Sequence, residues 1–306
     1  MAYPIARAAV SPATSARLRL GIAALLFSTG GAGIKAAAFT GWQIASFRSG
    51  IAAIVLWLFI PAARRGWTGR TVLVGVAYAS TLVLFVLANR LTTSANTIFL
   101  QSTAPLYVLV LSPWLLRERV RPADIGFMSL VAVGLAFFFV GSQPPLVTAP
   151  DPVRGNFLAA ASGVTWALTV CGLRWMGKGA DDAAIGAVVV GNAFAFLATL
   201  PRALPLAPHA ATDWVIIAYL GIFQIGLAYV LVTSALRRLS ALEASIILLI
   251  EPALNPLWAW AVHGEVPGAW ALAGGALILG ATTVRTLVDT RTRMQTLPSE
   301  SGATVP

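Results

Sequence analysis

Long windows without a single charged side chain alternate with short polar stretches along nearly the whole chain. They run over Thr71–Asn89, Leu91–Leu116, Ile125–Pro150, Gly155–Leu173, Ala183–Pro201, Trp214–Leu236 and Val266–Val284. Most suit an α-helix of about 20 residues crossing a hydrocarbon core roughly 30 Å thick. Three more apolar runs, near 18–39, 42–63 and 241–263, carry one or two ionisable groups. Trimming the longer windows gives ten predicted helices with short connections, so no soluble domain is expected between them.

The pattern repeats. Pro105 is followed thirteen residues later by Glu118, and Pro252 by Glu265 at the same spacing, 147 residues further on. Each pair closes one apolar run and precedes another, which reads as two homologous halves. Helices one to five occupy 18–141 and helices six to ten 154–286, joined by a Pro-rich linker over 142–153. Five is odd, so the second half enters the membrane from the opposite side. The expected fold is an all-α membrane protein of ten transmembrane helices in two inverted five-helix repeats. An in-plane pseudo-twofold axis then brings equivalent helices together near the bilayer centre, where a transporter would hold its solute. Residues 1–17 read as a tail on the N-terminal side, and 287–306, rich in Thr, Arg, Ser and Pro, as a disordered C-terminal tail.

Composition agrees with a bilayer. Hydrophobic residues make up 58% of the chain and charged ones 10%, with a mean hydropathy of +0.81. The net charge of +10 raises nucleic-acid binding, which the distribution of Lys and Arg disfavours, because they follow loops instead of one face. Sixteen of them fall in segments on the side of the termini, against Arg90, Arg154 and Arg202 on the other, with Lys35 and Arg48 inside helices. The positive-inside rule then puts both termini in the cytoplasm. The first helix is long enough to span and reads as uncleaved. The single Cys171 leaves no intrachain disulfide and no cysteine metal cluster.

The segments SANTIFLQSTAPLYVLVLSPWLLRERVRPADIGFMSLVAVGLAFFFVG and SALEASIILLIEPALNPLWAWAVHGEVPGAWALAGGALILG resemble the fourth-and-fifth and ninth-and-tenth helices of the EamA family, in the drug/metabolite transporter superfamily. Phe47-Arg48-Ser49-Gly50 resembles that family's second helix. The resemblance covers nearly the whole chain. It implies a ten-helix carrier of the bacterial inner membrane, with a cavity lined by helices one to four and six to nine and with helices five and ten peripheral. Members export amino acids, other metabolites or toxic compounds. Leu100-Gln101-Ser102-Thr103-Ala104-Pro105 most resembles the amino-acid exporters, including the aromatic-amino-acid type.

Polar residues inside apolar windows are the candidate site. Glu251 lies near the middle of helix nine beside Pro252, where a carboxylate costs a few kcal/mol or more unless protonated, paired or wet. It reads as a substrate-amine ligand or proton-coupling group, or as a protonated brace across the Pro252 kink. Gln101, one turn before Pro105 in the equivalent helix four, would face the same cavity, and Asn96 lies five residues earlier; either amide reads equally as an interhelical bond. Arg48, about 9 Å deep at 1.5 Å per residue, reads as a carboxylate ligand, as paired with another helix, or as snorkelling to the outer headgroups. Trp166, Tyr229, Tyr78, Gln224 and Asn192 lie deep enough to wall a cavity, as do Trp258 and Trp260. Lys35 and His263 read as interfacial. Glu118 and Glu265, at matched places, read as helix caps or loop partners, and Pro105 and Pro252 as structural. Trp42, Trp67, Trp114, Trp175, Trp214 and Trp270 suit interfacial belts. Gly75/Ala79, Ala159/Gly163, Ala187/Gly191 and Ala276/Gly280 are small pairs suited to close helix packing.

The expected partners are a small-molecule substrate and the lipid bilayer, with no cofactor. No G-x-x-x-x-G-K-[ST], H-E-x-x-H or G-x-S-x-G occurs, so neither an ATP engine nor a familiar hydrolase site is encoded. A channel would show a repeated filter loop or a charged ring, and neither is seen.

Overall fold

The computed structural model describes residues 12–65, 67–115, 122–140, 144–176, 181–236, 238–239, 244 and 247–295. Among them the backbone is helical apart from turns and an isolated bridge between Leu146 and Ala149. Helices α1 (Pro12–Ser28) and α2 (Gly30–Ala36) form one rod interrupted at Thr29, whose hydroxyl folds back onto the Leu26 carbonyl at 2.7 Å. Helices α3 (Gly41–Phe59) and α4 (Gly69–Leu91) each open with a capping box, Thr40 with Gln43 and Thr68 with Thr71. These reciprocal bonds satisfy the free N–H groups of a first turn and so mark where each helix starts.

A second broken rod consists of α5 (Ser94–Gln101) and α6 (Ala104–Leu115). Then come α7 (Pro122–Val140), α8 (Pro152–Met176) and α9 (Asp181–Ala203). Helix α10 (Ala211–Tyr219) continues through a π-helical segment, Leu220–Leu227, into α11 (Ala228–Leu236). The last helices are α12 (Ile250–His263) and α13 (Ala269–Gln295). Helix α13 runs nine residues beyond the predicted start of the disordered tail at 287, because the chain meets no Gly or Pro there until Pro298.

Among the described residues six stretches are long and apolar enough to cross a bilayer: Gly41–Phe59, Gly69–Leu91, Ser94–Leu111, Pro152–Leu173, Ala184–Ala203 and Ala211–Ala235. Asp124–Val140 and Ala269–Arg285 are shorter apolar helices. The chain is therefore a multi-pass membrane protein. Large apolar side chains face outward along it, among them Phe59, Trp114 and Val140, as a lipid-facing surface allows. Near helix ends, Arg70 lies over Trp175 and Arg202 over Trp42, each 4.6 Å from the ring centroid.

Close packing relies on glycine where backbones meet. A Cβ on Gly191 of α9 would stand 2.7 Å from the Gly75 carbonyl of α4, and one on Gly274 of α13 would stand 2.6 Å from the Gly134 carbonyl of α7. Gly163 of α8 sits under the α5–α6 break, 3.1 Å from the Leu100 carbonyl by the same measure. Gly280, by contrast, faces open space. Phe39, Phe85, Phe99, Phe127, Phe138 and Leu100 form the main buried cluster. Beside it Asn156 accepts from Thr92 at 2.8 Å and from Asn96 at 3.1 Å and donates to the Phe138 carbonyl at 2.9 Å.

Candidate functional site

The helix interruptions surround one cavity of about 370 Å³. The α5–α6 break follows from Pro105, which has no N–H to give the Gln101 carbonyl one turn earlier. Gln101 itself lines the cavity, and its amide makes one long contact, 3.4 Å to Ser162. Across from it the chain turns into α12 at Glu251 and Pro252, both lining residues. Glu251 is partly exposed, and among the described residues no basic group pairs with it. In the π segment, where the extra residue per turn re-aims side chains, Gln224 reaches the same space. Its Nε2 lies 3.5 Å from the Phe27 carbonyl and its Oε1 is buried without a partner.

Arg48 is 1% exposed and lines the cavity, so the snorkelling alternative does not apply. As the eighth residue of α3, it lies where that helix packs against α4 and the π segment. Its guanidinium donates to the Leu82 carbonyl at 3.3 Å, and Nε has no partner. Tyr229 lies within electrostatic reach of both Arg48 and Glu251. Aromatic rings complete the wall: Tyr78 and Tyr229 meet edge-on at 5.9 Å between centroids, Phe27 and Tyr229 at 5.3 Å, and Tyr78 and Trp166 lie 6.2 Å apart. The Tyr78 hydroxyl makes no well-formed hydrogen bond. A buried cation, a carboxylate, two amides and aromatic faces in one space suit a small amphipathic solute with charges of both signs.

Seven of the nine residues singled out for binding meet here: Gln101, Glu251, Trp166, Tyr229, Tyr78, Gln224 and Arg48. Asn96 and Asn192 do not line the cavity. Asn96 is tied to Thr92 and Asn156, and Asn192 donates to the Val188 carbonyl at 2.9 Å on α9. Helix α9 packs glycine to glycine behind α4, which puts Tyr78 between Asn192 and the cavity. Helix α13 instead contributes Leu279 and Thr282, because Gly275 lets it lie directly against Phe99. Both placements depart from the lining that the family resemblance implied. Trp258 bonds Ser28 at 2.9 Å and Trp260 is 57% exposed, so neither walls the cavity.

Lys35 is not interfacial. Its ammonium meets Glu265 at 2.7 Å with both side chains 3% exposed, and Glu265 also accepts the Ser94 backbone N–H at 3.0 Å. That carboxylate therefore caps α5 and not the helix that follows it. His263 contacts the Ala32 carbonyl at 2.9 Å. Glu118 lies outside the described residues. Sequence reasoning missed Phe27, Thr81, Phe85, Ser102 and Thr282 as lining residues; no signal beyond their place in apolar windows marked them.

Comparisons with known proteins agree with this architecture. The model of the EamA-like transporter family matches twice, over residues 15–140 and 153–286. An aromatic amino acid exporter, YddG of Ancylobacter novellus, is 25% identical over 191 residues, which cover 61% of this chain and 65% of that protein's length. A protein crystal structure superposes over 91% of this chain and 99% of its own with a TM-score of 0.59 at 22% identity, a likeness of fold alone.

Proposed function

Because the chain belongs to the EamA-like transporter family, we propose that it is a secondary transporter exporting a small metabolite, an amino acid or a related amphipathic solute. One observation carries the reading: Arg48 and Glu251, opposite charges without ionic partners among the described residues, line one cavity between aromatic walls. A zwitterion supplies both missing partners, its carboxylate to the guanidinium and its ammonium to Glu251. Gln101 and Gln224 add adaptable hydrogen bonds, while Trp166, Tyr78 and Tyr229 receive the apolar part. In this reading Asn96 and Asn192 brace the wall from behind, and Pro105 and Pro252 fix the breaks that expose Gln101 and Glu251.

The same reading assigns ten membrane-crossing rods in two inverted repeats, the shorter helices α1–α2, α7, α12 and α13 completing the six long spans. Alternating access then works by rocking the repeats about the cavity. Both termini face the cytoplasm of a bacterial inner membrane, as the asymmetry of Lys and Arg requires. The exporter relative, matched over less than two thirds of its length, supports the substrate class and the outward direction. Glu251 is the proton-coupling group. Glu251→Gln keeps the size and hydrogen bonding of a protonated carboxyl but cannot titrate. In proteoliposomes its flux falls by at least about tenfold, equivalent to roughly 1.4 kcal/mol, with melting temperature retained. Wild-type flux with an unchanged pH profile overturns the assignment.

A further inference from the structure

Beyond the cavity wall lies a buried ion pair that the solute reading does not use. Four chain segments converge there. Lys35, at the end of α2, meets Glu265, from the loop between α12 and α13, at 2.7 Å with both side chains 3% exposed. The Lys35 ammonium also donates to the carbonyls of Thr92, at 2.9 Å, and Thr148. The second Glu265 oxygen accepts the Ser94 N–H at 3.0 Å, at the positive end of α5. Backbone geometry delivers the carboxylate. Gly264 ends α12 at φ +66, its N–H bonding the Trp260 carbonyl at 2.9 Å and that of Glu265 reaching the Ala259 carbonyl at 3.4 Å. This left-handed ending turns the chain inward so that Glu265 points into the bundle.

The pair lies about one helical turn along α5 from the cavity wall. Ile98, which lines the cavity, lies four residues after Ser94, about 6 Å along the helix at 1.5 Å per residue. Between the two levels, glycines let the helices close tightly. A Cβ on Gly31 would stand 2.6 Å from Asn255 Oδ1 and 2.8 Å from Ser94 Oγ, and one on Gly30 would stand 2.7 Å from Gln224 Nε2. The opposite end of the cavity is bordered by Val232, Leu248 and Thr282; one turn past Thr282, Arg285 pairs with Asp124 of α7, but that pair is less enclosed, with the arginine side chain 19% exposed.

A buried ion pair adds little to stability, since its Coulomb attraction barely offsets the desolvation of two charges. Its distinctive property is that separation in water is nearly neutral, because each charge recovers its hydration. An apolar seal has no such compensation. We propose that Lys35 and Glu265 are working residues of the transport cycle, forming the releasable closure at the end of the cavity away from the termini. The proposal rests on the transport reading but is tested without a solute.

Ser102→Cys, in a Cys171→Ala background, places a thiol in the cavity for a membrane-impermeant reagent applied to either face of sealed vesicles. In Glu265→Gln, labelling from the face opposite the termini rises about tenfold as the balance of closed and open forms shifts. The double variant Lys35→Met/Glu265→Gln leaves no unpaired charge and shows the same rise, which separates gating from the cost of a stranded lysine. Unchanged labelling from both faces in a double variant with wild-type melting temperature overturns the proposal. So does failure of the double variant to fold, which assigns the pair to the scaffold. Absence of flux for every solute tried, with the labelling shift intact, counts against the transport reading and leaves the closure standing.

Discussion

Replacing Arg48 with Gln separates a ligand from a brace, because the two roles predict opposite changes in stability. The guanidinium is 1% exposed, donates to one carbonyl at 3.3 Å and leaves Nε without a partner. Losing the bond to Leu82 costs about 1 kcal/mol. Against that, a cation no longer has to be buried without a counter-ion, a burden of several kcal/mol per ion. The Gln amide is two bonds shorter than the guanidinium nitrogen that reaches Leu82, so that bond is lost, but the relieved burden is larger and the solute-free Arg48→Gln protein melts at or above the wild-type temperature. Affinity moves the other way. A hydrogen bond to a charged group contributes about 1.5–3 kcal/mol, which corresponds to roughly 10- to 150-fold in Kd. The assay compares the thermal shift and calorimetric Kd of an aromatic amino acid with those of its carboxamide. Wild type prefers the free acid by about tenfold or more, and Arg48→Gln treats the two alike. A variant that melts lower by more than about 2 kcal/mol while keeping the preference for the acid refutes the reasoning and makes Arg48 a brace.

Two further substitutions test the frame around the site. Gly191→Ala puts a Cβ 2.6 Å from the Tyr78 ring and 2.7 Å from the Gly75 carbonyl; because the second is backbone, α4 and α9 must part. Overpacking of that kind costs about 1–3 kcal/mol, and the accompanying movement of Tyr78 weakens solute binding. Gly280→Ala, facing open space, should be neutral or stabilising by up to about 1 kcal/mol from helix propensity; equal melting temperatures for the two variants contradict the packing argument. Asn156→Ala strands Thr92, Asn96 and the Phe138 carbonyl and should lower stability by about 1–3 kcal/mol without changing solute preference. A changed preference at unchanged stability would return Asn96 to the cavity.

Depth in the membrane was legible from the sequence, and azimuth was not. The window Thr71–Asn89 lies inside α4, and Trp214–Leu236 lies inside the rod from α10 to α11. A charge-free run states how far a residue sits from the interface but says little about which side of its helix faces a neighbour. Sequence alone therefore places Trp258, Trp260 and Asn192 deep without telling that the first two point away from the cavity and that Tyr78 stands before the third. Nothing local to Lys35 announces Glu265, 230 residues away, so its position alone suggests an interface. The Pro105 break could be read from the missing N–H. The π segment and the interruption at Thr29 could not, since no proline marks either. The family resemblance carried the fold, and only coordinates could turn Arg48 inward.

Several of the unpartnered polar atoms among the described residues gather at the cavity and next to the Lys35–Glu265 pair. Arg48 Nε and Gln224 Oε1 belong to residues lining the cavity, and Ser94 Oγ and Asn255 Oδ1 meet at Gly31, next to the Ser94 N–H that Glu265 accepts. The crossing of α7 and α13 is made by Gly134, Gly274, Ile278 and Phe138, with Asp124 of α7 paired to Arg285 of α13. In a bilayer a stranded polar group costs several kcal/mol unless water or another group reaches it. Concentrating such groups around one path makes the compact arrangement there easy to leave, since a bound solute or entering water satisfies what packing does not. The interruptions at Thr29, at Ser102 and Thr103, and through Leu220–Leu227 each adjoin or include a lining residue, Phe27, Ser102 and Gln224 respectively. Each loosens the backbone ladder where a rod must flex.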